Sequence, residues 1–180
     1  AGTTINAGTL LLGAADRLLD AGLVTVDTGG TFDLGGFSES VGAVTLTSGT
    51  IANGTLRGSG FALKAGSVSA ILAGAGIAVT KTTSGSVTFS NANTYTGATT
   101  VSAGTLATTG DERIADTSAV TVSTGATLQL GGLETIQTVT NGGIITLPNA
   151  GSNLVAGSGA NYTLGGTISG NGSFTKTGAG

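Results

Sequence analysis

Apolar and polar positions alternate along most of this chain. In VTVSTGATLQL (Val120–Leu130), Val120 and Val122 fall on one side of an extended backbone. Leu128 and Leu130 share one side of the next strand, while Thr121, Ser123 and Gln129 point away. Similar pieces (TTVS, GTLA, AVTVS, ATLQL, ETIQTV, GIITL, YTL, SFTKT) recur about every 8–12 residues, divided by Gly, Asn or Ser. The pattern predicts an all-β chain of short strands and tight turns, as in a sandwich, a barrel or a β-solenoid. One stretch departs from it. LLGAADRLLDAG (Leu11–Gly22), like ATTGDERIADTS (Ala107–Ser118), carries clustered Asp and Arg. These segments are expected to form a loop or a single helical turn protruding near 11–22 and 107–118.

The two charged stretches are copies. With the chain laid on itself at an offset of 96, residues 3–36 face 99–132 and 17 of 34 positions are identical. VTVDTGGTFDLGG (Val24–Gly36) faces VTVSTGATLQLGG (Val120–Gly132). The offset then slips by one, so that Glu39, Val41 and Val44 face Glu134, Ile136 and Val139, and VTK (Val79–Lys81) faces FTK (Phe174–Lys176). This is a tandem unit of about 95–96 residues. The expected organisation is a first unit at 1–85 and a second at 86–180, forming one continuous solenoid. Because the chain starts and stops inside the repeat phase, it reads as an excerpt of a longer array. The long repeat favours a solenoid, in which each coil covers its neighbour over a continuous aliphatic stack. At roughly 20–25 residues per coil, about eight coils would make a rod near 40 Å long, with strands about 4.8 Å apart.

Composition narrows the partners. Gly accounts for 34 residues, Thr for 33 and Ser for 16, whereas charged residues are only 8%. The net charge of −3 with six scattered cations gives no basic stripe for nucleic acid. There is no Cys for a disulfide and no His. The most apolar window, Val68–Val79, is broken by Gly and falls short of the roughly twenty residues of a membrane helix, so no membrane insertion by this segment is expected. The start AGTTINAGTL has neither the basic nor the apolar region of a secretion signal.

NTYTGATTVSAGTL (Asn93–Leu106), GNGSFTKTGAG (Gly170–Gly180) and ERIADTSAVTVSTGATLQLGGLETI (Glu112–Ile136) resemble the passenger-associated strand repeats of bacterial autotransporters. That resemblance implies a right-handed parallel β-helix on the outside of a Gram-negative cell, and no shared catalytic residues.

The chemistry available is thin. Without His, a hydrolytic triad loses its usual base. KAGSVS (Lys64–Ser69) offers a local Ser/Lys pairing and reads as a surface turn. Paired carboxylates for glycoside cleavage stand about 5–9 Å apart. The candidates are Asp27 with Asp33, and Asp111 with Glu112 and Asp116. Asp27 and Asp33 become Ser123 and Gln129 in the second unit. The other group contains Arg113, matches Asp16, Arg17 and Asp20, and reads as a solvated, self-neutralising loop. No calcium nonapeptide is present, and GAGIAV (Gly74–Val79) reads as a coil corner rather than a phosphate loop. Thr45/Thr47, Thr80/Thr82 and Thr175/Thr177 fit the Thr-x-Thr tripeptide of ice-ordering ladders, but they do not recur once per coil. Tyr95 and Tyr162 are each expected to stack at a corner rather than hold a sugar.

The sequence thus predicts a non-enzymatic, cofactor-free structural rod or spacer of a secreted or surface fibre. Its expected partners are adjacent repeats and identical molecules stacked laterally or head to tail. Two alternatives remain: an adhesin module for glycans, which should show an aromatic or charged patch shared by both units, and a polysaccharide-degrading β-helix.

Overall fold

The computed structural model describes residues 1–157 and 162–178. The alternating pieces form 24 short strands, all paired in parallel, and the chain winds them into a solenoid with three faces. The first face stacks eight strands: Gly2–Ile5, Leu23–Val26, Ala43–Leu46, Gly60–Leu63, Val79–Lys81, Thr99–Val101, Ala119–Val122 and Thr138–Asn141. The second face stacks nine, from Gly8–Leu11 through Gly30–Asp33, Gly49–Ala52, Gly66–Val68, Ser86–Phe89, Gly104–Thr108, Ala126–Leu130 and Ile144–Leu147 to Thr167–Gly170. Nine rungs correspond to about nine turns, close to the eight expected. The register puts successive turns 16 residues apart at the tightest (Leu56 on Leu72) and 23 at the widest (Ile145 on Ile168), so the coils are somewhat tighter than expected.

The third face is divided. Ser38–Ser40, Thr55–Arg57, Ile71–Gly74 and Thr94–Tyr95 form one sheet, and Glu134–Ile136, Asn153–Ala156 and Ser173–Lys176 form another. Between them runs the charged segment around 109–118. It contains no strand and no helix, and its counterpart at 12–22 is likewise irregular, so both are loops and not helical turns. Lacking strand neighbours, the loop amides need other partners. Here side chains from neighbouring coils take them, as described below.

Inward positions follow the period-two rule. One column on the first face runs Ile5, Val26, Leu46, Leu63, Lys81, Val101, Val122 and Asn141. Its aliphatic members are almost fully buried, and Phe32, Phe61, Phe89 and Tyr95 are the largest groups of the core. Burying each large apolar side chain contributes about 1.5–3 kcal/mol. The two polar members satisfy themselves at corners. Lys81 Nζ donates to Thr83 O and to Ala103 O (3.0 Å), and Asn141 Oδ1 accepts from Gly143 N (3.0 Å). Burial lowers the Lys81 pKa.

A second once-per-turn feature lies where the chain enters the second face. Gly8, Gly30, Gly49 and Gly66 stack on one another, and Gly104 stacks on Ala126. A methyl on Gly49 would lie 2.4 Å from Gly30 O, and one on Gly166 would lie 2.0 Å from Gly143 O. Turns stack this closely at the corner because the side chain is missing.

The sequence match of VTK with FTK is not a structural one. Val79–Lys81 lies on the first face and Ser173–Lys176 on the third, because the second unit takes a longer turn before Thr167. The gapless offset does not hold across that turn.

Candidate functional site

The carboxylates are the natural place to look for chemistry. Asp27 and Asp33 do not face each other. Asp27 closes the turn before Gly30–Asp33, its carbonyl accepting from Gly30 N (2.9 Å), and Asp33 sits at the far end of that strand. The Asp33 carboxylate accepts from Gly35 N (2.8 Å) and Asn53 Nδ2 (3.1 Å), which fixes the next corner.

In the loop around 109–118 the acidic groups bind backbone rather than one another. Asp111 Oδ1 accepts from Leu133 N (2.8 Å), and Glu112 accepts from Thr135 N (2.9 Å) and Thr135 Oγ1 (2.8 Å). Arg113 Nε donates to Thr109 O (2.9 Å). The expectation of mutual neutralisation is therefore replaced by a loop whose charges tie it to the following coil.

Sequence reasoning missed the group that organises this loop. Glu134 is fully buried, and its two oxygens accept from Arg113 N (3.1 Å) and Ile114 N (2.6 Å). Glu39, also fully buried, does the same for Arg17 N (2.9 Å) and Leu18 N (2.8 Å). A carboxylate thus replaces the missing strand partner beneath each loop. On the other side, Asn93 Nδ2 donates to Arg113 O (2.6 Å) while its Oδ1 accepts from Leu72 N (2.8 Å). Loss of solvent pushes the Glu134 carboxyl up to about 8, the Glu112 and Asp116 charges add to this, and the two amides oppose it. The matched Glu39 and Glu134 were visible in the repeat, but nothing in GLETI distinguishes a buried carboxylate from an exposed one.

Beside Glu134 lies a buried hydroxyl chain. Tyr95 Oη bonds Thr99 Oγ1 (2.7 Å), Thr99 Oγ1 bonds Ser118 Oγ (2.8 Å), and Ser118 donates to Gly97 O (3.0 Å). Burial pushes the Tyr95 phenol up, so it stays protonated. Tyr95 is thus a core group at a corner, as expected. Tyr162 lies near the other end, with Lys176 Nζ 5.5 Å from its ring centre and its Oη donating to Gln137 O (3.2 Å).

The remaining candidates are structural. Lys64–Ser69 spans the turn after Gly60–Leu63 and the strand Gly66–Val68, with Thr83 Oγ1 donating to Lys64 O (2.8 Å). Gly74–Val79 is a coil corner, where Gly76 N donates to Thr96 Oγ1 (2.8 Å). The Thr-x-Thr tripeptide does not recur once per turn, but a single threonine nearly does. Thr4, Thr25, Thr45, Thr80, Thr100, Thr121 and Thr140 form a single outward column on the first face, interrupted only by Ala62. The second column of a Thr-x-Thr ladder is missing, since Asp27, Lys64 and Ser123 hold positions that Thr47 and Thr82 hold elsewhere.

The exposed large apolar groups are unevenly shared. Leu11, Leu19 and Leu23 are 62%, 66% and 59% exposed in the first unit, whereas Ala107, Ala115 and Ala119 occupy the matching positions in the second. Among the described residues, no group of three or more Asp or Glu is arranged to hold a metal ion, and no helix is long and apolar enough to cross a membrane.

A family model described as the passenger-associated-transport-repeat matches residues 1–12 and 79–107. The longer match covers Val79–Lys81 through most of Gly104–Thr108, including the corner where Tyr95 meets Thr99. No curated protein and no solved structure matches the chain.

Proposed function

From a chain that carries the autotransporter passenger-associated transport repeat on a parallel β-solenoid, we propose a structural function: a stiff spacer within a secreted or surface-exposed passenger. The family implies export, and the fold supplies a rod whose length scales with the number of turns. One observation carries the reading. The acidic groups that would do chemistry, Asp33, Asp111, Glu112 and Glu134, accept hydrogen bonds from the chain's own backbone. The proposed partners are adjoining repeats, with units at 1–85 and 86–180 forming one rod, and identical molecules packed side by side along the low-charge faces. We assign no catalysis and no cofactor.

The adhesin reading is weaker because the apolar patch of the first unit is not shared by the second. Small-angle scattering provides the test. A chain with one unit duplicated should lengthen by about 24 Å, five rungs at about 4.8 Å each, and should leave arrayed glycans unbound. An unchanged length, or retention by a polysaccharide, overturns the spacer reading.

A further inference from the structure

At the first coil, Gly2, Thr3, Leu18, Leu19, Gly22 and Val24 line a hollow. The repeat offset maps them onto Ala98, Thr99, Ile114, Ala115, Ser118 and Val120. In the second unit that place is filled. Tyr95 is fully buried there, with its phenol oxygen on Thr99 Oγ1 (2.7 Å). We propose that the hollow at Thr3 and Leu19 is a receptor for the tyrosine of an adjoining repeat unit, presented on an Asn-Thr-Tyr-Thr strand like Asn93–Thr96. The inference rests on the stacking of repeats proposed above and names the contact that locks one unit to the next.

Three observations converge on this occupant. First, the wall is apolar and open: Leu19 is 66% exposed, while its counterpart Ala115 is 7% exposed. Second, the hydrogen-bonding end is in place, because Thr3 stands where Thr99 takes the phenol. Third, the Arg17 loop is already held from one side as the Arg113 loop is, by Glu39 in place of Glu134. The incoming Asn would supply the other side, reaching Arg17 O as Asn93 reaches Arg113 O. A second copy of this chain is a poor donor, since its Asn93 and Tyr95 are locked inside its own rod. The first unit has Gly22 in place of Ser118, so the Thr3 hydroxyl has no serine beside it and is free to turn toward the phenol.

The test extends the chain ahead of Ala1 with a copy of one coil, the 20 residues Ile77–Thr96. A second version carries alanine in place of the tyrosine of that coil. The tyrosine version should melt about 5–10 °C above the alanine version, as expected for filling or emptying an aromatic site in a chain of this size. Trypsin cleavage at Arg17 should slow at least about tenfold in the tyrosine version only, the change expected if the loop's opening becomes costlier by one decade. Leu19→Asp should leave the unextended chain unchanged and abolish the gain from the tyrosine coil. Equal melting and equal Arg17 cleavage in the two extended chains overturns the proposal. If those chains lengthen in scattering, the rod reading survives without the tyrosine lock; if neither lengthens, both fall together.

Discussion

At the residue scale, the buried carboxylates matter most. Glu134 holds a proton more firmly in the folded chain, at about 8, than a free glutamate does, near 4.3. A folded pKa above the unfolded one means that the native state binds the extra proton. Its stabilising effect is present at pH below about 4.5 and is lost as pH rises through about 8, by an amount on the order of a few kcal/mol. The groups facing it are Tyr95, Glu112 and Asp116, and none of them supplies a cation. Denaturant midpoints should therefore be lower at pH 9 than at pH 5, and Glu134→Gln should flatten that slope. The substitution turns an NH2 toward one of two backbone amides and should cost about 1–2 kcal/mol at pH 5. A slope that survives unchanged in the variant would assign the effect to another group. Lys81 and Glu134 were not legible as interior residues because both sit in alternating pieces whose polar positions normally face water. Only the register, which sets them in columns with Leu63 and Leu154, shows otherwise.

At the element scale, the strands and turns were legible because period-two alternation and Gly-rich corners report directly on backbone geometry. The length of a turn was less so, since that signal lies in the glycines stacked at one corner, which are hard to pick out among 34. Gly66 has φ +114°, and a methyl there would lie 2.1 Å from Gly49 O, whereas Gly60 has open space around it. Gly66→Ala should cost about 2–4 kcal/mol and Gly60→Ala should stay within about 0.5 kcal/mol, as read from urea unfolding. Equal costs would remove the corner stack as the determinant of coil spacing. The loops make a separate point. The Arg113 loop is clamped by Asn93 and Glu134, while the Arg17 loop is held by Glu39 and its arginine is exposed. Trypsin should therefore cut at Arg17 before Arg113, as peptide mass mapping would show. The reverse order would contradict the two-sided clamp.

At the scale of the whole molecule, each turn touches only the turns above and below it, so stability should be distributed by rung. Amide exchange should be slowest near Phe61, Val79 and Val101 and fastest at the two ends, whichever face an amide lies on. Protection that followed faces instead of rungs would mean the sheets, and not the turns, are the cooperative units. The solenoid was legible from the tandem match because a repeat that cannot bury its own core must stack. The longer turn before Thr167 was not, since the VTK and FTK triplets agree in letters while lying on different faces.

The divided third wall has one further consequence. Because side chains rather than strand pairing bridge the seam at the charged loop, the wall is built as separate panels, one between successive loops. Genetic exchange between copies of the unit would insert or excise a whole panel with its clamping Asn and Glu, leaving neighbouring panels intact. Natural variants are then expected to differ in reach by whole panels, in steps of about 24 Å, and rarely by single turns.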